Sequence, residues 1–362
     1  MKKRNYTILF SIFILVAVLS CRKDKYKVEV YQATPYEVQM PENFTQYLPP
    51  MNNPADNPLT VEGVELGRML FYETKLSGDN TQSCAGCHMP DQSFSDTSAF
   101  SIGIDGNLGG RNAMPIINVG WMNTLFWDGR AKSVEDQAFG PVVNPVEMHN
   151  TWKNAVASLQ ADPVYPPLFK KAFGTDQIDS VLVVKAIAQF ERTLISGNSP
   201  FDKYLRGEPT GWSDQDIYEA YQGYALFVDP NKGDCFHCHG DQYNPLWTDN
   251  KYHNNGLDAT FTDKGLGEIT GDPNDDGKFK TPTLRNLAYT APYMHDGRFE
   301  TLDEVIVHYS FGVQNSATID PLMQFADLGG VQLSIPERQL LKKFLLSLSD
   351  ESFINNPDFK KP

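Results

Sequence analysis

The sequence predicts a mainly α-helical fold. Strong runs of alternating polar and apolar residues, which are typical of strands, are lacking. Two S/T-x-x-E capping boxes, which mark helix starts, are formed by Thr301 with Glu304 and by Ser334 with Glu337. The third observation is a five-residue motif of two cysteines and a histidine that occurs twice in the chain.

This motif is the pattern for covalent attachment of a c-type haem. Two thiols three positions apart can form thioethers to the porphyrin, and the histidine that follows can ligate the iron. Because two copies are present, the predicted fold is two cytochrome c-like domains, each wrapping one covalently bound c-type haem. The predicted attachment and iron-ligating residues are Cys84, Cys87 and His88 in the first copy and Cys235, Cys238 and His239 in the second.

Two other uses of the cysteine pairs are less consistent with the sequence. A structural zinc site usually brings its pairs within ~15–20 residues, and these pairs lie much further apart. A thioredoxin-like redox pair does not require a histidine after both pairs, and neither motif lies in a βαβ pattern.

The first twenty residues have the features of a signal peptide. Lys2, Lys3 and Arg4 precede the apolar stretch 8–19, and residues 18–21 resemble a bacterial lipobox. This predicts a lipoprotein-type signal over residues 1–20, a lipidated Cys21 and a periplasmic protein that contacts the membrane only through this anchor. An ordinary signal peptide with an incidental cysteine is the alternative. Four of the five cysteines belong to the haem motifs, which leaves none for a disulfide.

The chain is acidic, with a formal charge of −14, and loss of the three basic signal residues makes it −17. This charge argues against nucleic acid or anionic lipid as a partner. It suits a basic electron-donor protein, although acidity can also serve solubility alone.

The first half of the chain is expected to form a tether and extended strap, residues 21–58, and an N-terminal haem domain, residues 59–205. Six prolines make the strap segment irregular. Capping residues predict a helix from Thr60 to Tyr72 and another that begins at Ser133. The expected order after the first motif is a glycine-rich loop over 91–110, the capped helix, an irregular stretch over 141–148, and helices over 152–160 and 180–196.

The turn-rich run 197–211 marks the predicted boundary with a C-terminal haem domain, residues 206–350. Ser213 caps a predicted helix that leads to the second motif. After polar loops, the last helices are expected near 302–310 and 335–348.

The sequence also resembles a known family, the bacterial dihaem cytochrome c peroxidases and the related MauG-type proteins. The resemblance runs from about Val61 to Leu348. It rests on Ser101-Ile102-Gly103, Arg111-Asn112-Ala113, the segment 126–130 (FWDGR), Gln137, Glu147-Met148, the segment 281–286 (TPTLRN) and the segment 291–297 (APYMHDG).

By position, the resemblance implies that His88 ligates the iron that reacts with peroxide and that His239 ligates an electron-transfer iron. Glu147 matches a distal carboxylate that moves protons, and Gln137 matches an amide that orients peroxide. Trp127 matches an indole between the haems. Taken singly, these three residues could equally be a solvated loop carboxylate, a helix-surface amide and a core aromatic.

The resemblance further implies one Ca²⁺ and a set of partners. Asn112, Thr290 and Pro292 match the family's calcium site, made from one side-chain amide and two backbone carbonyls. The implied substrate is H2O2, and the implied donor is a small cytochrome c or cupredoxin. The resemblance also suggests a homodimer.

One departure from the peroxidase pattern is Ile104, which stands where many of these enzymes have a removable histidine ligand of the peroxidatic haem. Isoleucine cannot bind iron, so this haem is expected to be five-coordinate or water-bound even when oxidised. Another residue of the loop 91–110 could still supply a ligand.

Tyr309 is the second departure. It stands fourteen residues after His295, where the peroxidases place a methionine ligand and MauG-type proteins a tyrosine. It is therefore a possible distal ligand of the second haem, with His308, Met294 or Met323 as alternatives.

The predicted function is a dihaem cytochrome c peroxidase that reduces H2O2 to water. Two alternatives remain open at the level of sequence. One is a MauG-like high-valent haem oxidase that acts on a protein substrate, and the other is a non-catalytic dihaem electron carrier.

Overall fold

The computed structural model describes residues 31–362, of which Ala33–Pro362 form one compact unit. The predicted signal peptide and the lipidation site at Cys21 lie outside the described residues. Within the described part of the chain, every helix is too short or too polar to cross a bilayer.

The prediction of a mainly helical fold is confirmed. In the first half of the chain, helices cover Glu42–Tyr47, Val61–Phe71, Cys84–Cys87, Val134–Val143, Trp152–Ala161, Tyr165–Phe173 and Ser180–Glu191.

The second half is also helical, with a single antiparallel pair of short strands, Tyr252–His253 and Phe279–Lys280, in the described residues. A π-helical turn, His308–Gly312, extends one of the helices. The helices cover Pro200–Leu205, Asp214–Val228, Phe236–His239, Leu266–Thr270, Leu302–Val307, Ile335–Ser347 and Glu351–Ile354.

Two hydrophobic clusters are each built on a close pair of helices. The first pair is Val61–Phe71 with Ser180–Glu191, and the second is Asp214–Val228 with Ile335–Ser347. In the first pair, a Cβ atom at Gly67 would lie 1.9 Å from the carbonyl oxygen of Ala186. In the second pair, a Cβ atom at Gly223 would lie 1.9 Å from the carbonyl oxygen of Leu340. Glycine therefore permits the backbone contact at both crossings, since a close-packed interior has no room for an extra methyl group.

The predicted helix starts are confirmed, because capping depends on local sequence. Helices begin directly after Thr60, Ser133, Ser213, Thr301 and Ser334.

Two expectations about helices were wrong, and one helix was missed. The segment predicted to be irregular from Pro141 is helical to Val143, because a proline in the last turn removes only one helical hydrogen bond. The helix predicted over 180–196 ends at Glu191, since Asn118 engages the backbone of Leu194 and Ser196 through hydrogen bonds of 2.9–3.0 Å. The helix Tyr165–Phe173 was not predicted.

Proline also misled the prediction at the start of the second half. The turn-rich run 197–211 contains the helix Pro200–Leu205, which Ser199 caps with a complete capping box. Proline is favourable at the first position of a helix, where its missing N–H costs nothing.

The strap is not extended throughout. Residues Glu42–Tyr47 form a short helix, and Phe44 is buried with its ring 5.2 Å from that of Trp121. Burial of this aromatic side chain explains why a proline-rich segment is held against the body of the protein. The division of the chain at residues 205 and 206 stays a prediction.

Candidate active site

The first cysteine motif forms a single helical turn that presents a histidine to a cavity. The N–H of His88 donates to the carbonyl of Cys84 at 2.9 Å. The imidazole Nδ1 lies 2.9 Å from the carbonyl oxygen of Phe94, so Nδ1 carries the proton and Nε2 is available to iron. Burial lowers the pKa of His88, which keeps the ring neutral as a metal ligand must be.

The second motif repeats this arrangement. The N–H of His239 donates to the carbonyl of Cys235 at 3.1 Å. Its Nδ1 lies 3.4 Å from the carbonyl oxygen of Trp247, a longer and weaker contact than that of His88. Burial lowers the pKa of His239 to about 4.

Each motif borders a cavity, and the residues present fit a covalently held haem. Cys87 and His88 line a cavity of about 670 Å³, while Cys235, Cys238 and His239 line one of about 230 Å³. None of the four motif cysteines, all of which lie in the described residues, forms a disulfide. A pair of thiols and a neutral imidazole beside a cavity is the donor set that c-type attachment requires.

The first cavity also contains the two polar residues expected to serve peroxide. Gln137 comes from the helix Val134–Val143, and Glu147 follows in the next turn. Glu147 Oε1 accepts a hydrogen bond of 2.6 Å from the Asn144 amide. Burial raises the pKa of Glu147, so its carboxyl group binds a proton more readily than an exposed glutamate does.

Trp127 lies where the two cavities approach each other. The buried side chain lines both of them, and its Nε1 donates to the carbonyl of Asn112 at 2.9 Å. The resemblance matched Trp127 to an indole between the two haems, and in the structure this residue borders both cavities.

Comparisons with known proteins agree with this geometry. Residues 61–210 match the family model described as di-haem cytochrome c peroxidase. The chain is 35% identical over 285 residues to the methylamine utilization protein MauG of Methylophilus methylotrophus, covering 78% of this chain and 82% of that protein. The chain belongs to the di-haem cytochrome c peroxidase and MauG family. Membership implies two c-type haems.

Other members of this family are equally similar. The chain is 36% identical over 257 residues to the cytochrome c551 peroxidase of Nitrosomonas europaea, covering 70% of this chain and 74% of that protein. A crystal structure of a MauG-like protein associated with microbial copper homeostasis superimposes with a TM-score of 0.81 at 34% identity, covering 90% of this chain and 99% of that one. Because relatives of both kinds match at about the same identity, similarity alone does not choose between the two activities.

Ile104 stands at the position that the resemblance matches to a peroxidase ligand, and it directly follows Ile102 and Gly103, which line the first cavity. Its Cδ1 atom lies over Gly78, 3.3 Å from where a Cβ atom would be. Its N–H donates to the carbonyl of Glu147 at 3.0 Å, which ties the loop to the segment that carries this carboxylate.

Tyr309 lines the second cavity together with Met294 and Met323. Its hydroxyl accepts a hydrogen bond of 2.9 Å from Asn255, and burial raises the pKa of the phenol to about 12. His308 is buried with an unpaired Nε2 but does not line this cavity. The geometry therefore keeps Tyr309, Met294 and Met323 as candidate ligands.

Asn112, Thr290 and Pro292, the residues matched to the family's calcium site, all line the second cavity. The Asn112 Nδ2 donates to the carbonyl of Ser98 at 3.1 Å, which leaves its Oδ1 as the atom available to a cation. Among the described residues, no cluster of three or more histidine, cysteine or acidic side chains forms a separate metal site.

Sequence reasoning gave no role to several charged residues that border the cavities, among them Arg111, Glu191 and Lys280. Arg111 lines the first cavity in a network with Asp128 at 2.5 Å and Asp263 at 2.6 Å. Glu191 is buried beside the same cavity, and burial raises its pKa to about 8. A glutamate at the end of an apolar helix is a weak signal that could have indicated it. Lys280, which lines both cavities, is a further charged residue of this kind.

Proposed function

We propose that this chain reduces H2O2 to water with two electrons from a small redox protein, a cytochrome c or a cupredoxin. Family membership establishes the broader class, a dihaem oxidoreductase. The observation that carries the specific reaction is Glu147, whose buried carboxyl group lines the same cavity as His88. A carboxyl group whose pKa is raised by burial takes up a proton more readily than an exposed carboxylate and can then return it.

In the proposed reaction, one H2O2, two electrons and two protons give two molecules of water. The haem iron bound to His88 supplies the redox chemistry. Glu147 takes a proton from H2O2 and returns it to the departing oxygen, while the Asn144 amide holds the carboxyl group in position. Gln137 orients the peroxide through its side-chain amide.

Trp127 is proposed to connect the two centres. Electrons arriving at the His239 side must cross the protein that separates the cavities, and this indole borders both. The hydrogen bond from Nε1 to Asn112 fixes the ring in that place.

Glu147→Gln tests the proposed reaction. The amide has nearly the same shape but cannot accept the proton, so we expect kcat for H2O2-dependent oxidation of the donor to fall by ~10²–10⁴-fold. The measurement is the oxidation rate of reduced cytochrome c and of reduced cupredoxin, at equal haem content.

Glu65→Gln, on an exposed face of the helix Val61–Phe71, is the matched control and should keep the wild-type rate. An unchanged rate in Glu147→Gln would contradict the role of this carboxylate.

A second candidate is a MauG-like oxidase that uses the same first site to modify another protein. It is favoured by Tyr309, which lines the second cavity. A phenolate ligand lowers the potential of a haem and favours its more oxidised states. If the wild-type protein consumes H2O2 but neither a cytochrome nor a cupredoxin supports turnover, this candidate replaces the first.

Calcium and the homodimer are proposed on the family resemblance, and the lipid anchor is proposed on the lipobox-like residues 18–21. Asn112, Thr290 and Pro292 would supply oxygen ligands to one Ca²⁺. Members of this family work in the periplasm, and we propose that Cys21 anchors the chain to a membrane there. Mass spectrometry of the mature N-terminus would test the anchor, and light scattering would test the dimer.

A further inference from the structure

Lys280 is a buried lysine that no acidic side chain neutralises. It is only 1% exposed and ends the second short strand, Phe279–Lys280. Its Nζ donates one long hydrogen bond, 3.3 Å, to the carbonyl of Asn250 and lies 5.8 Å from the ring centre of Tyr252. The nearby carboxylate of Asp249 is engaged instead by His253 at 2.9 Å.

The position of Lys280 is as unusual as its burial. Its side chain lines both cavities, as do Trp127 and Asn112. The backbone N–H of Lys280 donates to the carbonyl of Trp127 at 2.8 Å, which holds the lysine beside the indole. Lys280 is therefore held beside the indole at a position that borders both cavities.

Other cations near the cavities already have partners. Arg111 is paired with Asp128 and Asp263, and Arg130 is also paired with Asp128 at 2.9 Å. Among the described lysines and arginines that line either cavity, Lys280 alone lacks a carboxylate partner.

Burying an ammonium group without an anion costs free energy, because moving a charged group from water into the protein interior is unfavourable. Burial accordingly lowers the pKa of Lys280 to about 8. Members of this family hold two haems, and each haem carries propionate groups. These carboxylates would enter a cavity that Lys280 borders. These are the anions that such a site would select.

We propose that Lys280 is the counter-ion of haem propionates at this position bordering both cavities, and that its charge raises the reduction potential of at least one haem. A positive charge in a poorly screened interior stabilises the state that holds the extra electron. The proposal rests on the two haems of the family and is independent of which reaction the first haem performs.

Redox titration of the haem-loaded Lys280→Met variant tests this proposal. We expect the midpoint potential of at least one haem to fall relative to wild type, because the neutral side chain no longer favours the reduced state. Lys280→Arg, which keeps the charge, should restore the potential. Lys264→Met removes the same charge from an exposed ion pair with Asp276 and should leave both potentials unchanged.

Potentials in Lys280→Met that match those of Lys264→Met would overturn the proposal. If Lys280→Met does not load haem, resonance Raman spectra of Lys280→Arg decide the matter. The propionate bending band should then shift from its wild-type position, since a guanidinium would replace the ammonium at the carboxylate, and an unshifted band would overturn the proposal. Neither measurement uses peroxide or a donor, so failure here leaves the Glu147 prediction untouched.

Discussion

Ile104 occupies the loop position at which a histidine would ligate the first haem in many of the peroxidases that this chain resembles. Its side chain packs over Gly78, and its N–H is bonded to the carbonyl of Glu147. The neighbouring Asp105 holds the same loop through a contact of 2.5 Å to His149. These contacts fix the loop with an aliphatic side chain at the position that the resemblance matches to the ligand.

We therefore predict an open first site in the fully oxidised, as-isolated protein. Low-temperature EPR should show a high-spin ferric signal that disappears after addition of one equivalent of H2O2. The variant Ile104→His, which restores an imidazole on the loop, should convert that signal to low spin.

Two low-spin signals that do not change when peroxide is added to the wild type would contradict this prediction. They would indicate an electron carrier or an enzyme that needs prior half-reduction. Repeating the experiment on half-reduced protein separates these two, because only the enzyme would then respond to peroxide.

At the scale of elements, the sequence predicted what depends on neighbouring residues. Helix starts at Thr60 and Ser133 follow from caps within one turn, and the cysteine motifs are local as well. The unpaired state of Lys280 could not be predicted, because it depends on which distant carboxylates approach the side chain. The helix that contains Pro141 was misassigned because tertiary packing of Val142 outweighs the cost of a proline in the last turn.

The effect of calcium removal on stability is predicted at this scale, because the proposed ligands come from two separate segments. The N–H of Asn112 donates to the carbonyl of His295 at 2.7 Å, which brings the segment of Asn112 to that of Thr290 and Pro292. A cation held there stabilises the folded state by about 2.7 kcal/mol at a concentration of ~100 Kd. We expect a chelator to lower Tm of the wild type and Ca²⁺ to restore it.

The variant Asn112→Ala should lose this response, while the exposed control Asn231→Ala should keep it. The measurement is thermal unfolding with and without chelator, together with the calcium content of the protein. A chelator-insensitive wild-type protein that contains no calcium would contradict the prediction.

At the scale of the whole molecule, one buried carboxylate joins segments that are far apart in the sequence. Asp202 forms a two-point ion pair with Arg285, at 2.8 and 2.9 Å, and both side chains are buried. Its oxygens also accept hydrogen bonds from Asn43, in the strap, and from Ser199, which caps the helix Pro200–Leu205. Because all these donors share one carboxylate, its loss would leave an arginine and an amide unpaired in the interior.

The ionisation of Asp202 makes this junction dependent on pH. Burial alone would raise the pKa of Asp202, but the charge of Arg285 and the hydrogen bonds from Arg285 and Ser199 outweigh burial and hold the pKa below its usual value. A group whose folded-state pKa is depressed contributes its full stability above the pKa of the unfolded chain, about 3.9. That contribution is lost as the pH falls from this value through the folded-state pKa.

We therefore predict that Asp202→Asn is destabilised by about 3–5 kcal/mol at pH 7, since it leaves Arg285 without its anion. Urea unfolding from pH 7 down to pH 3 should show the difference from wild type begin to shrink below about pH 4, where the unfolded wild-type chain takes up a proton at this residue. Asp214→Asn removes an exposed charge and serves as the control, with little change at any pH. A difference between wild type and Asp202→Asn that stays constant across this range would show that packing, rather than the ionised carboxylate, holds the three segments together.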